Sequence, residues 1–192
     1  MIPGTSVPSY AHLLSPGDMR IEADALIEHP REAVFRAYRD DLPRLAEAMP
    51  RIRRIEVESR RELGPIVEIV NVWHGSAQIP TVAEKILPPV LTWHDYARWD
   101  ESTWTATWRL RSHVFPEAIS CEGENRFVDL GDGRTRVEVL GEIRVDLGKV
   151  RMVPELLASS VSSVVERFLV RQITPNLISV SDALADLLDA AA

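Results

Sequence analysis

The chain has 192 residues, of which 45% are hydrophobic and 27% charged, a balance that suits one globular domain and excludes a disordered chain. Its 22 Lys and Arg against 29 Asp and Glu leave a net charge of −7, which repels phosphate backbones and anionic bilayers, so nucleic acid is not an expected partner. No apolar run approaches the roughly 18 residues of a membrane span, the start Met1-Ile2-Pro3-Gly4 lacks the basic and apolar parts of a secretion signal, and the single cysteine, Cys121, offers no disulfide framework; the expectation is a cytoplasmic protein without stable membrane insertion.

Residues 1–18 carry Pro3, Gly4, Pro8, Pro16 and Gly17 with no apolar period and read as an N-terminal tail. Residues 19–192 read as a single domain, since no linker or repeat divides them. In the first strand Met19, Ile21, Ala23, Ala25 and Ile27 alternate with Arg20, Glu22, Asp24, Leu26 and Glu28, the period of a half-buried strand. Pro30 suits the first turn of a helix, and Val34, Phe35 and Tyr38 form its apolar stripe. A second short helix is expected from Leu42 to Met49, stopped by Pro50.

Strands and tight turns follow. Ile52–Leu63 and Ile66–Trp73 flank Gly64-Pro65 and predict a hairpin. For Thr81–Leu87, periodicity does not decide between a helical turn and a strand. Leu91–Trp99 and Thr103–Leu110 read as strands joined at Asp100-Glu101-Ser102, with Trp104, Ala106, Trp108 and Leu110 on one face. Ala118–Leu130 turns at Gly131-Asp132-Gly133 into a last strand whose Thr135, Val137, Val139, Gly141, Ile143 and Val145 face inward. The arginines 51, 53, 54, 60 and 61 stand among Glu56, Glu58 and Glu62, the pattern of a solvated face with cross-strand ion pairs. From Val153 the period becomes helical, through Leu157, Val161, Val164, Val165, Phe168 and Ile173. Thr174-Pro175 either kinks this helix or starts a final segment carrying Leu177, Ile178, Leu184, Leu187 and Leu188.

The order is strand, two short helices, antiparallel strands and one long C-terminal helix. A curved antiparallel sheet cannot bury its concave face against itself, and a long amphipathic helix is the available cover. Where the two do not close fully, a cavity remains for a small apolar ligand. The sequence here resembles the helix-grip superfamily, which includes the START lipid-transfer domains, the birch-pollen-allergen-like proteins and the polyketide cyclase/dehydrase group. The resemblance spans Met19 to Leu188. It is carried by Ile21-Glu22-Ala23-Asp24 with His29-Pro30-Arg31-Glu32-Ala33-Val34-Phe35, by the hairpin Gly131-Asp132-Gly133-Arg134-Thr135-Arg136-Val137, and by the closing helix. Glu84-Lys85-Ile86-Leu87-Pro88 before a Trp-bearing strand is similar to a bacterial branch of that superfamily and, more distantly, to PRELI-type phospholipid-transfer proteins. What this implies is an α+β helix-grip fold, a curved antiparallel sheet of about six to seven strands around the C-terminal helix, enclosing a hydrophobic small molecule or lipid. It implies no shared catalytic residues.

All five tryptophans, Trp73, Trp93, Trp99, Trp104 and Trp108, fall on consecutive predicted strands. They either fill the core or line a cavity, where their large faces and single N–H donors suit a flat or acyl ligand. By strand and helix parity the candidate ligand-binding residues are Trp73, Trp93, Trp104, Trp108, Val139, Val161, Val165 and Phe168. The histidines show neither the i,i+4 spacing nor the neighbouring carboxylate pattern of a zinc motif, so neither metal nor cofactor is expected. His74, His94 and His113 lie on or near adjacent strands, where one could enter the cavity beside Asp95, Tyr96 or Arg109 and move a proton; the alternative for each is a surface or hydrogen-bonded structural histidine. Cys121 sits in mid-strand as a small buried hydrophobe, and His74-Gly75-Ser76-Ala77-Gln78 breaks the spacing of a nucleophile elbow. Three readings stand: a binding protein for a hydrophobic small molecule or lipid, a cyclase- or hydratase-type enzyme using the same cavity, and a protein-interaction module.

Overall fold

The computed structural model describes residues 18–49, 51–76, 90–149, 162 and 179–190. Seven strands form one antiparallel sheet: β1 (Asp18–Ile27), β2 (Ile52–Leu63), β3 (Ile66–Ser76), β4 (Val90–Asp100), β5 (Thr105–Ser112), β6 (Ile119–Asp129) and β7 (Thr135–Val145). Their order is β1-β7-β6-β5-β4-β3-β2. Every neighbour but the β1–β7 pair is consecutive in sequence, which the short turns allow. Helices α1 (Arg31–Asp40) and α2 (Leu42–Leu45) connect β1 to β2, residue 162 is helical, and a C-terminal helix, α3, runs over 179–189. This is the helix-grip layout. The expected tail up to residue 17, Thr81–Leu87 and the closing-helix residues Val161, Val165 and Phe168 lie outside the described residues; Asp18 already belongs to β1.

Alternation decides the faces. Ile21 and Ile27 of β1 and Val137, Val139, Ile143 and Val145 of β7 are buried, while Arg20, Glu22, Arg136 and Arg144 between them are exposed. Pro30 directly precedes α1, and its carbonyl accepts the Val34 N–H at 3.1 Å. Val34, Phe35 and Tyr38 are the buried stripe of that helix. Phe35 meets Phe127, Trp99 and Trp104 edge-on with ring centroids 5.0–5.3 Å apart, a preferred aromatic geometry. On the other side of α1, Arg39 bonds Glu101 at 2.6 Å and Asp40 at 2.8 Å, and Asp40 takes Arg60 of β2 at 2.7 Å.

Two local expectations change. The helix expected over Leu42–Met49 is α2 followed by a 3₁₀ turn, Ala46–Ala48, a tightening common at helix ends; Leu45, Ala46 and Met49 are still buried. The strand expected from Thr103 begins only at Thr105, because residues 101–104 are a turn. Asp100 Oδ1 accepts the Ser102 N–H at 3.0 Å and holds the chain in that turn. Trp104, at φ 55, thereby leaves the strand ladder. Its positive φ is unusual for a bulky residue and is held by packing: its ring rests on Phe35 and under the Arg31 guanidinium at 4.6 Å, and its carbonyl accepts the Phe127 N–H at 3.0 Å.

The start of β7 is pinned to the loop before α1. Thr135 is fully buried and its hydroxyl donates to the His29 carbonyl at 2.7 Å. Thr135→Val keeps the shape and orphans that carbonyl, so a loss of about 1 kcal/mol is expected in urea unfolding; an unchanged midpoint would show that the bond is dispensable.

Candidate functional site

The concave face of the sheet is a grid set by register. Asn71 of β3 pairs with Asp95 of β4, Asp95 with Leu110 of β5, Leu110 with Cys121 of β6 and Cys121 with Ile143 of β7. One step toward one end lie Trp73 and Trp93, stacked with centroids 5.8 Å apart and planes 18° from parallel. Toward the other end lie Ala97, Trp108, Gly123 and Gly141, and beyond them Trp99, Ala106 and Asn125. Over this grid, with Tyr38 of α1, Leu42 of α2 and Val180 of α3 contributing, is a cavity of about 170 Å³. Its wall is mostly aromatic and aliphatic.

Glycines make room for the indoles. A Cβ on Gly123 would stand 2.4 Å from Trp108 Cζ2, and one on Gly141 2.7 Å from its Cη2. Trp108 therefore lies flat across β6 and β7 and donates its Nε1–H to Asn125 Oδ1 at 2.8 Å. Gly75 does the same for Trp93, whose Cζ3 is 3.0 Å from where a Cβ would be.

The polar groups of the cavity centre on Asp95. Its carboxylate is buried, accepts the Asn71 amide at 3.4 Å through Oδ2, and leaves Oδ1 without a hydrogen-bond partner. Burial pushes its pKa up to about 6, an effect moderated by Asn71 and by the nearby Trp73 indole. The indole N–H groups of Trp73 and Trp99 are also buried and find no acceptor in hydrogen-bonding geometry. Burial and the charge of Asp95 raise the Tyr38 phenol above its ordinary value, with Asn125 offsetting part of the rise. Cys121 lines the same wall as a thiol, pushed up to about 12 by burial.

Among the candidates from sequence, Trp73, Trp93 and Trp108 line the cavity. Trp104 does not: it packs from the turn against Phe35. Val139 is buried in the core and does not border the cavity either. Trp99 does border it, and Asp95 is its central polar group. Asp95 was legible by parity, two residues from Trp93 and four from Trp99 on the same strand face.

The histidines point the other way. His74 bonds Glu56 at 3.0 Å, and His94 bonds Glu58 at 3.4 Å and His113 at 2.9 Å, all on the convex face. Tyr96 stacks on His94, and Arg109 lies over Tyr96. Strand parity sends these groups away from Trp73, Trp93 and Asp95, so none of them reaches the cavity. Among the described residues no group of three or more His, Cys, Asp or Glu is placed to hold a metal ion, and no helix is long and apolar enough to cross a membrane. The basic stretch of β2 is ion-paired: Arg61 with Glu68 at 2.5 Å, Arg60 with Asp40 and Glu62, and Arg54 with Glu56.

No family model matches the sequence, and no curated protein matches it. Solved structures do match the fold. The Zhui aromatase/cyclase from Streptomyces sp. R1128 superposes with a TM-score of 0.65 at 14% identity, covering 90% of this chain and 94% of its own. Norcoclaurine synthase from Thalictrum flavum gives 0.59 at 14% identity over 93% and 99%, and ginseng major latex-like protein 151 from Panax ginseng gives 0.54 at 12% over 88% and 96%. The chain has the helix-grip fold that these proteins share.

Proposed function

We propose that this protein binds a largely apolar small molecule in the cavity over β3–β6, with the polar group of that molecule held at Asp95. One observation carries the reading: among the described residues the three buried side-chain atoms without a partner, Asp95 Oδ1, Trp73 Nε1 and Trp99 Nε1, all belong to residues that line the cavity. Such atoms are rare in folded proteins and cost about 1–3 kcal/mol each. An apolar pocket with a few convergent polar groups is the usual form of a small-molecule site. The volume is adequate for a ring, since a dry cavity of about 150 Å³ accepts benzene.

A second reading, an enzyme of the cyclase or hydratase kind, is favoured by Asp95 itself. A carboxyl group that titrates near 6 in a dry cavity can take or return a proton close to neutral pH. Two of the structurally similar proteins are named as enzymes, an aromatase/cyclase and a synthase, which supports keeping it. An interaction module predicts a filled core, which the cavity does not favour.

The test is native mass spectrometry of protein purified without detergent, followed by organic extraction. An aromatic or acyl compound released from the protein is the expected result. Renewed incubation with that compound separates carrier from enzyme by whether its mass changes. Protein that is empty and binds no aromatic or acyl probe in calorimetry would overturn the binding reading.

A further inference from the structure

We infer that the ligand is an organic cation, an amine on an aromatic or aliphatic body, whose ammonium group pairs with Asp95 among the tryptophan faces. This rests on the binding reading above and names the chemical class that the site selects. The first support is charge. Asp95 is a buried carboxylate that lines the cavity; its Oδ2 takes the neutral Asn71 amide and its Oδ1 has no hydrogen-bond partner. An unpaired carboxylate is expensive to bury, and a ligand that brings the missing positive charge recovers that cost as affinity. A neutral ligand leaves the cost in place, and an anionic one adds to it.

The second support is the wall. Trp73, Trp93, Trp99, Trp108 and Tyr38 line the same cavity as Asp95, and the negative faces of such rings attract ammonium groups most strongly when water is excluded. A carboxylate inside an aromatic cage is the arrangement that fits an amine. The unpaired Trp99 N–H would take an oxygen elsewhere on the same molecule, which points to an amine that also carries a hydroxyl, ether or carbonyl group.

Among the described residues, the other charged and titratable groups around the cavity do not supply the cation. Arg51 also borders the cavity, but at its far end: it is exposed, and its carbonyl accepts the Ser76 N–H, beyond Gly75 on the strand that pairs Asn71 with Asp95. At about 3.3 Å per residue, the four steps from Asn71 to Gly75 put its backbone roughly 13 Å from that pair. Tyr38 from α1 and Cys121 from β6 are both held protonated by burial, and Val180, which borders the cavity from α3, carries no charge.

Isothermal titration with three probes on one benzene ring tests this: benzylamine, benzyl alcohol and benzoate. The amine is expected to bind at least tenfold more tightly than the alcohol at pH 8, and the benzoate least. That advantage should shrink below pH 6 and disappear in Asp95→Asn, which keeps the side-chain shape. Equal affinity for amine and alcohol in the unmodified protein would overturn the cationic ligand and leave the cavity reading standing. No binding of any of the three would overturn the cavity reading, and this inference with it.

Discussion

Asp95→Asn is expected to make the protein more stable at neutral pH, by about 3 kcal/mol, and to leave it unchanged below about pH 3. The carboxyl titrates at about 6 in the fold against an ordinary 3.8, a rise of roughly two pH units and therefore about 3 kcal/mol. The direction follows from proton counting. Between pH 4 and pH 6 the folded protein holds a proton on Asp95 that the unfolded chain has lost, so stability falls as pH rises through this window. Below it both states are protonated and the penalty vanishes; above it the whole penalty is present. The variant lacks the titration, so its curve should separate from the wild type across this window. For a chain of this length the gain corresponds to roughly 6–12 °C in melting temperature. Groups whose pKa the fold lowers, such as Asp40 with its Arg39 and Arg60 partners, slope the other way in both proteins and cancel in the difference. Chemical unfolding of both at pH 3 and pH 7.5 measures it, and parallel pH profiles would show that Asp95 is not buried as a charge. A residue that weakens the fold and opens onto a cavity supports the proposed binding site.

The pieces legible in the sequence were those governed by a strict period. Ile21 and Ile27 on β1, and Val137, Val139 and Ile143 on β7, alternate without interruption, and both strands lie where the pattern puts them. Gly131 and Gly133 turn the chain at positive φ as the hairpin reading requires. Parity also placed Trp73, Trp93 and Trp108 on the cavity side. It failed at Trp104 because alternation says nothing about where a strand begins. The Asp100 cap onto Ser102 extends the turn to residue 104, and everything before Thr105 leaves the ladder. The same parity that sent His74 and His94 outward sent Asp95 inward. A buried charge reads in sequence like any exposed one, and only its apolar neighbours on the face show the difference.

The shape of the cavity depends on two residues with no side chain. Gly123 and Gly141 face each other across β6 and β7, and Gly123 also pairs with Trp108 of β5, so the indole crosses both. Neither glycine has a positive φ; what they supply is space. Gly123→Ala is expected to cost about 3 kcal/mol, the upper part of the range for overpacking. Its Cβ would meet the Leu140 carbonyl oxygen at 2.3 Å as well as the indole, and a carbonyl in a paired strand has nowhere to go. Gly141→Ala should cost less, because its nearest contact is the Trp108 ring at 2.7 Å and the Glu122 carbonyl is at 2.9 Å. In that variant the indole lifts off its floor, strains its bond to Asn125 and enters the cavity, so ligand affinity should fall more than stability. Adding Trp108→Leu separates the causes. The smaller side chain should restore most of the stability of Gly141→Ala and only part of that of Gly123→Ala, a non-additivity that a double-mutant cycle of thermal melts reads directly. Equal rescue of the two would mean that the indole, and not the strand backbone, sets the limit at both positions.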